Sequence, residues 1–128
     1  MTRVILLVDD DPDFRAVLAL ALELRGYCVR QANGGRKALE LLSRERPDLI
    51  ISDLEMRGMD GRALCRRARS ENRLAGIPFV ILSTCAGPDE AGGRADLPAD
   101  LWLNKQFSVL TLVESIHGLM ARIAPGEG

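Results

Sequence analysis

Residues 3–15 read RVILLVDDDPDFR, an apolar run that stops abruptly at three consecutive aspartates, with a proline directly behind them. A short, nearly unbroken apolar run suits a strand covered on both faces. Asp11 is placed to cap a helix that Pro12 opens, because a first-turn residue needs no N–H partner. Three carboxylates in a row repel, so a fold tolerates Asp9, Asp10 and Asp11 only where solvent, basic side chains or a cation offset their charge.

The same pattern recurs along the chain. Strand-like runs lie at RVILLV (3–8), YCVRQA (27–32), DLIIS (48–52), PFVIL (78–82) and LWLN (101–104). Helix-like segments alternate with them. PDFRAVLALALELRG (12–26) stops at Gly26, GRKALELLSRER (35–46) ends before Pro47, and DGRALCRRARSE (60–71) follows Gly58. SVLTLVESIHGLMARI (108–123) starts from Ser108 with apolar positions near the 3.6-residue period. The fourth crossover, AGPDEAGGRADLPAD (86–100), carries Gly87, Gly92 and Gly93, with Pro88 and Pro98 towards its two ends. Each interior glycine costs a helix about 1 kcal/mol, so a short helix at best is expected there. Alternating strands and helices of this kind predict an α/β domain, a parallel sheet with helices on both faces.

At 128 residues the chain is long enough for one domain with a real core. Residues 1–124 are the expected domain, with 125–128 as a loose tail. A formal net charge of −1 gives no electrostatic case for nucleic acid or an anionic membrane. The apolar runs are too short to span a bilayer and no signal-peptide pattern precedes the first, so a cytoplasmic location is expected. Cys28, Cys65 and Cys85 show no metal or CxxC spacing and read as reduced thiols. The basic run Arg62, Arg66, Arg67, Arg69 and Arg73 reads as a solvated helix face.

In a parallel sheet the carboxyl ends of the strands share one edge, where ligands bind. After the first run come Asp9, Asp10 and Asp11; after the third, Asp53; after the fourth, Ser83 and Thr84; at the end of the fifth, Asn104 and Lys105. Only Asn33 and Gly34 follow the second, as suits an edge strand. Carboxylates, hydroxyls and a lysine at one edge are the parts of a magnesium-dependent phosphoryl site, since magnesium takes one or two carboxylates, waters and a phosphate oxygen. A carboxylate can itself be the nucleophile, with lysine and hydroxyl holding the phosphoryl oxygens. His117, the only histidine, lies on the last helical segment, away from that edge.

ILLVDDDPDFR, PDLIISDLEMRGMDG, IPFVILST and LNKQF together resemble the receiver domain of bacterial two-component response regulators, related to the single-domain chemotaxis regulators. The resemblance runs from the first strand to the last helix. It implies a flavodoxin-like, doubly wound three-layer sandwich with strand order 2-1-3-4-5. It also implies Asp53 as phosphoacceptor and Mg2+ held by Asp10, Asp53 and the Glu55 backbone carbonyl, with Asp9 one water further out. Ser83 matches the hydroxyl that moves to meet the phosphate, Lys105 the lysine that pairs with it, and Trp102 the aromatic position that turns inward. The implied donor is a histidine kinase or histidine phosphotransfer protein. The downstream partner is unspecified, and a homodimer through the last strands and helices is compatible with the family. On this reading the chain catalyses only its own phosphoryl transfer and slow hydrolysis, and is not otherwise an enzyme.

Three positions depart from the family pattern. Arg57 and Gln106 stand where proline is usual, and Thr84 where a small residue is usual. Because the family's proline after the lysine sits in a cis peptide, Gln106 leaves open whether the Lys105–Gln106 bond is cis or trans. Two rival readings follow. A haloacid-dehalogenase-type phosphatase would use Asp9 as nucleophile with Asp11 as its partner in a DxD. A receiver-like interaction module would keep the fold without being phosphorylated.

Overall fold

The computed structural model describes residues 2–84 and 99–123. In chain order the elements are β1 (Val4–Val8), α1 (Pro12–Leu24), β2 (Cys28–Ala32), α2 (Gly35–Leu42), β3 (Leu49–Asp53), α3 (Gly61–Ser70), β4 (Phe79–Ser83), β5 (Leu101–Asn104) and α4 (Val109–Ala121). The short helix expected in the fourth crossover falls mostly outside the described residues. The strands form one five-stranded sheet in the order β2-β1-β3-β4-β5, with every neighbouring pair parallel. That is the doubly wound order that the resemblance implies, with β2 at one edge and β5 at the other.

Side-chain alternation explains the three layers. Ile5, Leu7, Leu49, Ile51, Val80, Leu82 and Leu103 face one side and pack with Leu18, Leu22, Leu112 and Ile116 of α1 and α4. Leu6, Val8, Ile50, Phe79 and Ile81 face the other and pack with Ala38, Leu42, Leu64 and Ala68 of α2 and α3. Covering both faces is why β1, β3 and β4 are apolar almost throughout. Asp11 caps α1 by accepting from the Asp13 and Phe14 amides, Asp60 caps α3 through Ala63 N–H at 2.9 Å, and Ser108 caps α4 through Thr111 N–H at 3.2 Å.

Several boundaries differ from the sequence reading. β3 and β4 each run one residue further, so Asp53 and Ser83 are the last residues of their strands rather than the first of a loop. α2 ends at Leu42 instead of reaching Arg46; the Ser43 hydroxyl turns back to donate to Glu40 O at 2.6 Å, and Pro47 disfavours helix just before it. Arg69 is no solvated helix residue: its guanidinium donates to Ala75 O at 2.9 Å and to Asp100 Oδ2 at 2.7 Å, tying the approach to β4 to the approach to β5. Every peptide bond among the described residues is trans, Lys105–Gln106 included.

Gly61 fixes the loop between β3 and α3. Its N–H donates to Leu54 O at 2.9 Å, and a Cβ at this position would lie 2.3 Å from the backbone oxygen of Asp53. Backbone cannot yield as a flexible side chain does. Gly61→Ala is therefore expected to cost about 2–4 kcal/mol in urea unfolding, and a loss within about 0.5 kcal/mol would show that the loop absorbs the methyl group.

Candidate functional site

Alternation also decides which polar groups meet at the carboxyl edge. Asp9 continues the side of Ile5 and Leu7, Asp53 that of Leu49 and Ile51, and Lys105 that of Leu101 and Leu103. All three therefore fall on the face covered by α1 and α4. Asp9 is 0% exposed and Asp53 6%, whereas Asp10 is exposed. The Lys105 ammonium lies 2.8 Å from Asp9 Oδ2 and 3.4 Å from Asp53 Oδ2, and 4.5 Å above the Phe14 ring. One cation thus serves two buried carboxylates, with an aromatic face beneath it.

The surrounding bonds hold the acids in place. Asp9 N–H donates to Ala32 O at 3.0 Å, and Asp9 Oδ1 accepts from Asp11 N–H at 2.9 Å. Arg15 reaches from α1 to donate to Asp9 O at 2.7 Å and to Gln31 Oε1 at 3.1 Å. Asp10 Oδ2 accepts from the main-chain N–H of Arg57 at 3.2 Å, and Thr84 Oγ1 donates to Glu55 Oε1 at 3.3 Å. Lys105 is anchored by its own N–H, which donates to Ser83 O at 2.8 Å.

Asp9 Oδ2 is buried without an aligned hydrogen-bond donor and meets Lys105 only as an ion pair. Ligand oxygens of Asp9, Asp10 and Asp53 lie within 4.8 Å of one another. Two buried carboxylates and one exposed carboxylate against a single ammonium leave the pocket short of positive charge, and their hard oxygens suit a divalent cation. Burial, with a further push from Asp9, raises the Asp53 carboxyl to about 6, although Lys105 pulls the other way. For Lys105, burial works against the ammonium, yet Asp9 and Asp53 together outweigh it and its pKa is raised. At neutral pH the lysine is charged and Asp53 is mostly ionised, the state a nucleophile needs.

Of the residues singled out in the sequence, Asp9, Asp10, Asp53 and Lys105 converge, with Glu55 and Thr84 joined at the rim. Ser83 ends β4, beside β3, and is buried. Trp102 sits in the middle of β5, opposite Ile81, and packs on the α2 and α3 face. Asp11 is spent on capping α1, and Asp9 is fully enclosed, which removes the exposed acid pair that a DxD phosphatase needs. His117 is bonded to Tyr27 Oη at 2.6 Å, distant in the fold from the acids. Sequence reasoning did not find Arg15, Phe14 or the Arg57 amide. Arg15 and Phe14 follow the acids closely in sequence but reach Asp9 O and Lys105 only through the fold of the turn and the path of β5, and the Arg57 amide comes from a loop 47 residues away.

A doubly wound sheet with an acidic pocket and one lysine at its carboxyl edge defines a class, and comparison with known proteins gives the family. The family model described as response regulator receiver domain matches residues 5–117, and the chain belongs to that family. It is 35% identical to Response regulator MprA of Mycolicibacterium vanbaalenii over 97% of this chain and 53% of the relative. The chain spans about half the length of the curated relatives it matches. Among solved structures, the signal receiver domain of a signal transduction histidine kinase from Syntrophus aciditrophicus superposes with a TM-score of 0.89 at 33% identity, covering 99% of this chain and 96% of that one. The chemotaxis response regulator CheY4 of Vibrio cholerae superposes at 0.86 with 30% identity, covering 93% and 99%.

The raised Asp53 carboxyl has a consequence for stability. A carboxyl whose folded pKa lies above its unfolded value binds protons preferentially in the native state, so its unfavourable contribution is absent below about pH 4 and complete above about pH 6. Asp53→Asn is expected to stabilise the metal-free protein by about 1–2 kcal/mol at pH 8, after allowance for solvent screening, with the gain gone at pH 4. Urea unfolding of both proteins at the two pH values checks this; a gain independent of pH would assign it to packing instead.

Proposed function

We propose that Asp53 is the phosphoacceptor of this receiver domain, taking a phosphoryl group from the phosphohistidine of a histidine kinase or histidine phosphotransfer protein. The observation that carries the reading is the single Lys105 ammonium shared by buried Asp9 and Asp53 beside exposed Asp10. An Asp53 carboxylate oxygen attacks phosphorus, the P–N bond to the donor imidazole breaks, and that imidazole leaves with a proton. Lys105 pairs with the phosphoryl oxygens as it is drawn from Asp53, and the Ser83 hydroxyl donates to another.

Mg2+ fits the donor set: Asp10, Asp53 and the Glu55 carbonyl would hold it directly, with Asp9 one water away. When bound it supplies charge neutralisation for the transferring phosphoryl group. The product carries about two additional negative charges. Recruiting Lys105 and Ser83 to them moves the ends of β4 and β5, and Trp102, lying between Ile81 and the α3 side, repacks with them. Catalysis beyond this transfer and the later hydrolysis is not part of the proposal.

Beryllofluoride, a phosphoryl mimic, tests the reading through Trp102 fluorescence. A saturable change that requires Mg2+ is expected, absent in Asp53→Asn and weakened about tenfold or more in Lys105→Ala. No binding by a folded wild-type protein would leave the unphosphorylated interaction module as the better description.

A further inference from the structure

We infer that Arg57 is a positioning residue acting through Asp10: its main-chain amide competes internally for the Asp10 carboxylate and so sets how tightly the acidic pocket takes a divalent cation. The inference rests on reading Asp10 as a direct cation ligand.

The contact joins two loops far apart in sequence. Arg57 N–H donates to Asp10 Oδ2 at 3.2 Å across a separation of 47 residues, linking the turn after β3 to the turn after β1. The β3–α3 loop is closed at its base by the bond from Gly61 N–H to Leu54 O, 2.9 Å. Gly58 follows Arg57 with φ of +72°, a conformation that glycine alone adopts without strain. The amide is therefore presented by a loop that is already shaped.

The other donors in the pocket are harder to displace. Asp9 Oδ1 holds the Asp11 amide at the start of a helix, and Asp9 Oδ2 and Asp53 Oδ2 share a buried ammonium. Asp10 Oδ2 is held by a neutral amide on an exposed loop. The amide occupies one of the lone-pair directions of this carboxylate, so a cation drawn to that direction displaces it, and the energy of the lost charge-assisted bond is subtracted from its binding. Proline at position 57 has no N–H to offer, so the residue type decides whether the competitor exists. The guanidinium of Arg57 is a separate contribution, a positive charge on the same loop, and the test must divide the two.

Arg57→Ala removes the guanidinium and keeps the amide; Arg57→Pro removes both. Calorimetric titration with Mg2+ is expected to show Arg57→Pro binding about fivefold more tightly than Arg57→Ala. Amide hydrogen exchange of the wild-type protein provides a second reading that needs no substitution. The Arg57 N–H is expected to exchange more slowly than an unstructured peptide without metal, and to speed up at saturating Mg2+. Equal affinities for the two variants, or an unprotected Arg57 amide in the metal-free protein, would overturn the inference while leaving the cation pocket intact. Absence of Mg2+ binding in wild type and both variants would overturn the pocket reading itself, and the competitor role with it.

Discussion

Two buried carboxylates sharing one ammonium are the constraint around which this molecule is organised. Asp9 directly follows β1 and Asp53 ends the neighbouring β3, and their mutual repulsion in a low-dielectric site is offset by Lys105, which reaches both, at 2.8 and 3.4 Å. Lys105 comes from beyond the edge strand β5, and its long stem crosses to β3 and β1 over the Phe14 ring. A compact ammonium on a flexible stem can serve two acids and later move to a third anion, which a rigid guanidinium fork does less readily. The pocket is deliberately under-neutralised. One ammonium against Asp9, Asp53 and exposed Asp10 leaves it receptive to a cation, while burial first and Asp9 second raise the Asp53 carboxyl to about 6, so that it still ionises near neutrality.

The fold delivers that arrangement through the alternation of its strands. Extending the side-chain parity of β1, β3 and β5 past their apolar segments puts Asp9, Asp53 and Lys105 on one face, beneath α1 and α4. The opposite parity in β4 and β5 directs Ile81 and Trp102 towards α2 and α3. The acidic pocket and Trp102 are thus on different faces of one sheet. They are joined at Ser83 and Lys105, whose backbones are hydrogen-bonded to each other at 2.8 Å. On the proposed reading, charge added at Asp53 would pull on both residues at once, and β5, at the edge of the sheet, would transmit the pull.

The two-sided burial of β1, β3 and β4 was legible in their apolar runs, and the meeting of Asp9, Asp10, Asp53 and Lys105 because strand ends in a parallel sheet share an edge whatever fills the crossovers; the sheet order was implied by the family resemblance alone. Caps at Asp11 and Ser108 were legible for a local reason: each side chain bonds to its own helix. Asp53 and Ser83 were placed one residue outside their strands, since hydropathy falls at a polar residue while backbone pairing continues through it. Arg15, Phe14 and Gly61 were invisible as site residues. Their roles are contacts with backbone atoms or with a lysine nearly a hundred residues away, and nothing in a local pattern encodes a carbonyl partner. Arg57 was noticed as a departure from a usual proline, but that its amide would be donated to Asp10 depended on the path of two loops.

The most direct measurement is chemical trapping of the acyl phosphate. The protein would be incubated with a small-molecule phosphodonor and Mg2+, reduced with borohydride and mapped by peptide mass spectrometry. Conversion of residue 53 to homoserine, with Asp9 and Asp10 unmodified, is the result expected if the shared ammonium marks the phosphoacceptor. Reduction at Asp9 or Asp10, or no modified residue in a protein that binds Mg2+ and remains folded, would contradict the assignment of Asp53.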